Sequence, residues 1–96
     1  MIFEWDADKD ALNREKHGVS FEEAQEVFAP SVPALEVFDE RHSVTEDRFI
    51  TIGPIRRGLV LVVWTEQVED VVRIISARWA TKREAARYRL EFEDEQ

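Results

Sequence analysis

Apolar and polar residues change period several times along this chain, and each change marks an element. Ile2 to Trp5 alternates apolar and polar, which predicts a short edge strand. Asp6 stands where it can cap a first helix over Ala7 to Lys16. Gly18 stops that helix, and Lys16 and His17 put positive charge in its last turn, where the helix dipole favours it. Ser20-Phe21-Glu22-Glu23 is a capping box, with hydroxyl and carboxylate three positions apart. Phe21, Ala24, Val27 and Phe28 then recur at helical spacing, so a second helix is predicted from about Phe21 to Phe28. Pro30 and Pro33 end it and open a loop.

The middle of the chain reads as β-structure. Ala34 to Phe38 predicts a strand, followed by a polar turn through Asp39 to Thr45. Arg48 to Ile52 predicts another, with Arg48, Ile50 and Ile52 on one face. Gly53 to Gly58 reads as a hairpin connection. Leu59 to Thr65 is apolar at both parities and should be a central strand. After a turn around Gln67 to Asp70, Val71 to Arg78 predicts the last strand. Thr81-Lys82-Arg83-Glu84 is a second capping box. The closing helix should run from about Lys82 to Phe92, with Ala85, Tyr88 and Phe92, and as a further candidate Ala86, toward the sheet. The order β-α-α-β-β-β-β-α predicts an α+β fold: an antiparallel sheet of about four strands, two N-terminal helices and one C-terminal helix. The acidic tail, 91–96, is expected to fray.

Ninety-six residues and 44% hydrophobic content fit one domain with one modest core. The absence of cysteine excludes disulfides, thiolate metal sites and cysteine nucleophiles. Met1 leads into Glu4 and Asp6 without an apolar run, so no signal peptide is expected. The longest apolar run, Leu59 to Trp64, has six residues, against the roughly 20 that span a bilayer. A cytoplasmic protein with no membrane association is the expectation.

Charge sharpens the picture. The formal net charge is -8, yet between Val71 and Leu90 six bases (Arg73, Arg78, Lys82, Arg83, Arg87, Arg89) face one acid, Glu84. Residues 1–48 hold thirteen acids and five bases, net -8, and residues 49–96 hold eight of each. The acidity argues against a protein that coats DNA non-specifically. The local cation surplus suggests a positioned site for a phosphate polymer.

Standard enzyme motifs are missing. There is no Gly-rich phosphate loop, no HExxH, no EF-hand loop and no serine in a nucleophile elbow. His17 and His42 are isolated, so neither a metal site nor a cofactor is expected. Metal-free RNA cleavage needs a base for the 2′-OH, cations for the charge growing on the phosphoryl oxygens, and an acid for the leaving 5′-oxygen. Arg48, Arg73, Arg78, Lys82 and Arg83 could supply the charge, and His17 or His42 the proton carrier. Plainer readings stand beside these. Arg73 can be the wet face of an edge strand, Lys82 to Arg89 a solvated helix face, Lys16 and His17 a helix end, and His42 a loop residue. Trp5, Trp64 and Trp79 suit packing better than base stacking. Arg73 and Arg78 also have opposite parity, so they share a face only if a bulge intervenes.

Three segments together resemble the BrnT family, the toxin half of BrnT–BrnA toxin–antitoxin pairs. The first is Phe3-Glu4-Trp5-Asp6 with Lys9, Asn13, Lys16-His17-Gly18-Val19 and Phe21-Glu22-Glu23-Ala24. The second is His42-Ser43 with Glu46-Asp47-Arg48-Phe49-Ile50-Thr51-Ile52-Gly53. The third is Arg73-Ile74-Ile75-Ser76-Ala77-Arg78 with Ala80-Thr81, Glu84 and Tyr88. The resemblance implies a RelE-like fold and a metal-independent ribonuclease that arrests translation. It implies a BrnA-like antitoxin whose ribbon-helix-helix domain binds promoter DNA, so that DNA is reached only through the antitoxin, in a complex with two copies of each chain. It marks Lys9, Lys16, His17, Arg48, Arg73, Arg78 and Tyr88 as site candidates. His17, Lys16, Arg48, Arg73 and Arg78 are expected to be catalytic. Lys9, His42, Lys82, Arg83 and Tyr88 are expected to bind substrate. A second reading remains open: an inactive toxin-like module that binds an antitoxin and tunes its repression.

Overall fold

The computed structural model describes residues 1–39 and 47–92. Of the expected turn Asp39 to Thr45, the part from Glu40 on, with His42 in it, lies outside the described residues, and so do residues 93–96 of the tail expected to fray. The elements are β1 (Ile2–Glu4), α1 (Ala7–His17), α2 (Phe21–Ala24) continued by a 3-10 turn (Gln25–Phe28), β2 (Leu35–Phe38), β3 (Arg48–Ile55), β4 (Gly58–Val68), β5 (Val71–Trp79) and α3 (Lys82–Phe92). The fold is α+β. No helix among the described residues is long and apolar enough to cross a membrane.

The sequence signals for helix ends act as expected. The Asp6 carboxylate accepts from the amides of Asp8 and Lys9, and Gly18 takes the left-handed conformation (φ 72°) that closes α1. Ser20 and Glu23 form the reciprocal capping box of α2. Thr81 and Glu84 do the same for α3: the Glu84 amide donates to Thr81 Oγ1 (3.1 Å), and the Thr81 amide donates to Glu84 Oε1 (2.9 Å).

Two expectations need correction. Among the described residues the sheet has five strands, not about four, in the order β1-β5-β4-β3-β2. It is mixed, not antiparallel, because β1 runs parallel to β5, with Phe3 opposite Val72 and Glu4 opposite Arg73. A three-residue strand carries no signal for its partner; that choice is made by backbone hydrogen bonds to residues some seventy positions away. The second correction concerns Gly53-Pro54-Ile55. This stretch is part of β3, paired with Val60, Leu59 and Gly58, so the turn is only Arg56-Arg57. Gly53 is there for close approach: a Cβ would meet those of Ala34 at 3.2 Å and Val27 at 3.3 Å.

The sheet is covered on both faces. One face carries Val60, Val62, Trp64, Val72, Ile74 and Ala77 against Val19, Phe21, Ala24 and Val27. An aromatic chain runs through this layer, Phe3 to Phe28 (5.4 Å), Phe28 to Trp64 (5.3 Å) and Trp64 stacked on Phe49 (4.8 Å). Burying a side chain such as Phe21 contributes about 1.5–3 kcal/mol. The other face carries Ile52 and Leu61 under α3, with Leu35, Ile50, Leu59, Val63 and Phe92 around them and Tyr88 at the centre. The helix crosses only the end of the sheet near Leu59 and Leu61. The end that bears Arg48, Thr65 and Arg73 is not covered by any described helix.

Candidate active site

The decisive local feature is an irregularity in β5. Ser76 lies opposite Val63 and Ile74 lies opposite Trp64, so Ile75 has no counterpart on β4. It is a β-bulge, one extra residue that resets the alternation of side chains. In a regular strand Arg73 and Arg78 would point to opposite faces. With the bulge between them, Arg73 pairs with Thr65, Ser76 with Val63 and Arg78 with Leu61. Paired residues share a face, so both arginines and Ser76 lie on the α3 face. Arg48 is opposite Thr65 from the other side. The sequence expectation that Arg48, Ile50 and Ile52 share a face agrees with this register. A row therefore crosses this end of the sheet, with Thr65 buried at its middle: Arg48, Thr65, Arg73 and then Glu4.

Helix α1 brings the next cations. Asn13 is buried and its side chain binds the edge of β5, donating to the Ala77 carbonyl (2.7 Å) and accepting from the Ala77 amide (3.1 Å). Its Nδ2 also donates to the Val19 carbonyl (2.9 Å). β1 has ended at Glu4, so the helix takes over an edge that would otherwise leave backbone groups unpaired. Between α1 and the bulge is an open cleft of about 190 Å³, lined by Lys9, Leu12, Asn13, Lys16, His17, Ile75 and Ser76. Lys9, Asn13 and Lys16 follow helical spacing, and so meet on one face.

The two arginines of β5 differ electrostatically. Arg73 donates to Glu4 Oε2 at 2.9 Å, with its side chain 40% exposed and that of Glu4 50%. A pair this wet is worth about 0–1 kcal/mol and yields readily to another anion. Arg78 is clamped in a fork to Glu84, Nη1 to Oε1 at 2.8 Å and Nη2 to Oε2 at 2.9 Å, and also donates to the Trp79 carbonyl. The Arg78 hydrogen bond, helped by the Thr81 amide and opposed by partial burial, lowers the Glu84 carboxyl to about 2. The same pair raises Arg78 further above its ordinary value. Glu84 thus ties the capping box of α3 to an arginine of the sheet.

Other sequence candidates fall elsewhere. Tyr88 is buried, its hydroxyl donates to the Pro33 carbonyl (2.8 Å), and its ring packs on Phe92 (4.9 Å), so no base can stack there in this conformation. Lys82 and Arg83 are exposed on α3, where Arg83 and Arg87 line a separate cavity of about 420 Å³ with Glu84, Ala86 and Leu90. Trp64 is core, Trp5 lies edge-on to Phe21, and Trp79 lies under the Arg57 guanidinium at 5.0 Å. Among the described residues no group of acids and histidines could hold a metal ion. Sequence reading passed over Ser76, Thr65, Glu4 and Glu84. Glu4, Ser76 and Glu84 stand in the segments that carry the family resemblance and Glu84 in a capping box, while for Thr65 the only signal is a hydroxyl at the end of an apolar strand.

Comparison with known proteins bears on the family and the fold. Residues 5–84 match the family described as "Ribonuclease toxin, BrnT, of type II toxin-antitoxin system". The fold is similar to the crystal structure of the Brucella abortus ribonuclease toxin BrnT, with a TM-score of 0.63 at 21% identity, over 85% of this chain and 100% of that one. No curated protein matches the sequence.

Proposed function

The chain belongs to the BrnT family of ribonuclease toxins of type II toxin–antitoxin systems, and from that premise we propose that it is a metal-independent, RelE-like endoribonuclease whose cutting of RNA arrests translation. The observation that carries this reading is the bulge at Ile75, which turns Arg73 and Arg78 to the face that bears Arg48 and which itself lines the cleft bordered by Lys9, Lys16 and His17. In this reading an RNA strand lies over the open end of the sheet. Arg48 and Arg73 hold the scissile phosphate and stabilise the pentavalent transition state. Arg78, oriented by Glu84, holds the neighbouring phosphate. His17 or Lys16 moves the proton of the attacking 2′-OH, and Lys9 guides the backbone. His42 stands as a second proton carrier. No cofactor takes part.

The partner in this reading is a BrnA-like antitoxin that neutralises the toxin and carries the ribbon-helix-helix domain that binds promoter DNA. Two copies of each chain assemble in the cytoplasm. The acidic first half of the chain suits basic residues of that partner. A second reading has its own support, because Arg73 and Arg78 each have a carboxylate partner. In it the protein is an inactive module that binds the antitoxin and tunes repression.

Expression of the chain without antitoxin distinguishes the two. The ribonuclease reading expects growth arrest and RNA cleavage that persists in EDTA and is lost in Arg73→Ala. Intact RNA with retained antitoxin binding would leave the binding module as the function.

A further inference from the structure

Thr65 Oγ1 is fully buried and has no hydrogen-bond partner among the described residues. Buried hydroxyls in native proteins are nearly always satisfied, and one left open is destabilising unless something else fills the position. The surroundings of this one are specific. Thr65 is the middle residue of the row across the sheet, with Arg48 opposite on β3 and Arg73 opposite on β5. Strands are about 4.8 Å apart, so the two arginine backbones stand roughly 10 Å from each other with the threonine between them. Two guanidinium groups from such positions can close over one tetrahedral anion centred on the threonine. At the β5 end of the row, Glu4 already places a carboxylate oxygen on Arg73 at 2.9 Å.

We propose that Arg48, Thr65 and Arg73 form a phosphate subsite in which the Thr65 hydroxyl donates to a phosphodiester oxygen, and that Glu4 is its resident competitor. The inference rests on the RNA reading of the site and deepens it, adding a binding residue and a built-in counter-anion. Chemistry favours a phosphate over a carboxylate ligand. A phosphodiester presents two non-bridging oxygens to the two arginines, and one of these can also accept from the hydroxyl. Entry requires the exposed Arg73–Glu4 pair to part, Arg48 to exchange its present partner for the anion, and the row to open above the hydroxyl. The first of these steps is cheap, because that pair is largely solvated.

The test uses the full chain and a single-stranded RNA with 2′-O-methyl groups at every sugar, which binds but cannot be cut, beside its cleavable counterpart. Thr65→Val replaces the hydroxyl with a methyl of the same shape. It is expected to weaken binding of the 2′-O-methyl RNA roughly tenfold or more, with a melting temperature equal to or above that of wild type. Thr65→Ser should restore binding. Glu4→Gln should tighten binding by about threefold to fivefold. If Thr65→Val binds as wild type does, or loses binding only because its melting temperature collapses, the subsite is wrong. The two proposals fail separately. Cleavage by wild type and Thr65→Val with equal KM sinks the subsite and keeps the ribonuclease. Binding that depends on Thr65 without any cleavage keeps the subsite and sinks the ribonuclease. A wild type that neither binds nor cuts sinks both.

Discussion

Asn13 and Ala77 are joined by two hydrogen bonds, Nδ2 to the Ala77 carbonyl at 2.7 Å and the Ala77 amide to Oδ1 at 3.1 Å. A side chain of α1 thereby does for the edge of β5 what a neighbouring strand would do. It also fixes the distance between the helix cations and the bulge. Asn13→Ala would leave the amide and carbonyl of Ala77 and the carbonyl of Val19 without their partner. At 1–3 kcal/mol for an unsatisfied buried group, partly relieved by water, the expected loss is about 2–4 kcal/mol. Urea denaturation followed by tryptophan fluorescence measures it. A loss under about 0.5 kcal/mol would mean that the helix is held to the edge by something else.

The Arg78–Glu84 clamp predicts a pH dependence. Glu84 has its folded value lowered to about 2 from an ordinary 4.5. Its contribution is therefore complete above the unfolded value and disappears as pH falls through the folded one. With solvent screening of a partly exposed pair, the size is on the order of 1–2 kcal/mol. Glu84→Gln should be less stable than wild type at pH 7, and the difference should close between about pH 4.5 and pH 2. A difference that persists unchanged at pH 2 would assign the effect to the capping box alone.

Two buried threonines on neighbouring strands should respond oppositely to the same substitution. Thr51 Oγ1 accepts from Trp64 Nε1 at 2.8 Å, so Thr51→Val strands a buried indole N–H and should cost about 1–3 kcal/mol. Thr65 Oγ1 has no such partner among the described residues, so Thr65→Val should be neutral or stabilising by up to about 1 kcal/mol. Chemical denaturation of the two variants side by side decides it.

Arg73 offers a separation of function from stability. Its ion pair with Glu4 is exposed on both sides, so Arg73→Ala should change unfolding free energy by less than about 1 kcal/mol. If it stabilises the transition state, cleavage of RNA should fall by about a hundredfold or more in the same variant. A folded Arg73→Ala that cuts at the wild-type rate would remove it from the site.

Local elements were largely legible in the sequence. Asp6, Gly18, Ser20 with Glu23, and Thr81 with Glu84 act through hydrogen bonds no more than a few residues long, and they occur where the pattern placed them. The strand at Gly53-Pro54-Ile55 was misread because glycine and proline next to each other usually mean a turn. Here the glycine answers to Val27 and Ala34, residues distant in sequence. The parallel pairing of β1 was invisible for the same reason. Its three residues, Ile2 to Glu4, say that they are extended but not beside what.

What the chain determines by itself is the set of elements and the supply of cations, because periodicity, caps and charge are properties of neighbours along the backbone. Where those cations meet is decided by tertiary structure. Strict alternation separates Arg73 from Arg78, and only the pairing of β5 with β4 makes Ile75 supernumerary and returns them to one face. Carboxylates from opposite ends of the chain then pair with them, Glu4 loosely with Arg73 and Glu84 tightly with Arg78. The physical reason is that register and ion pairing depend on which strands lie side by side, and that is settled by burying both faces of the sheet at once.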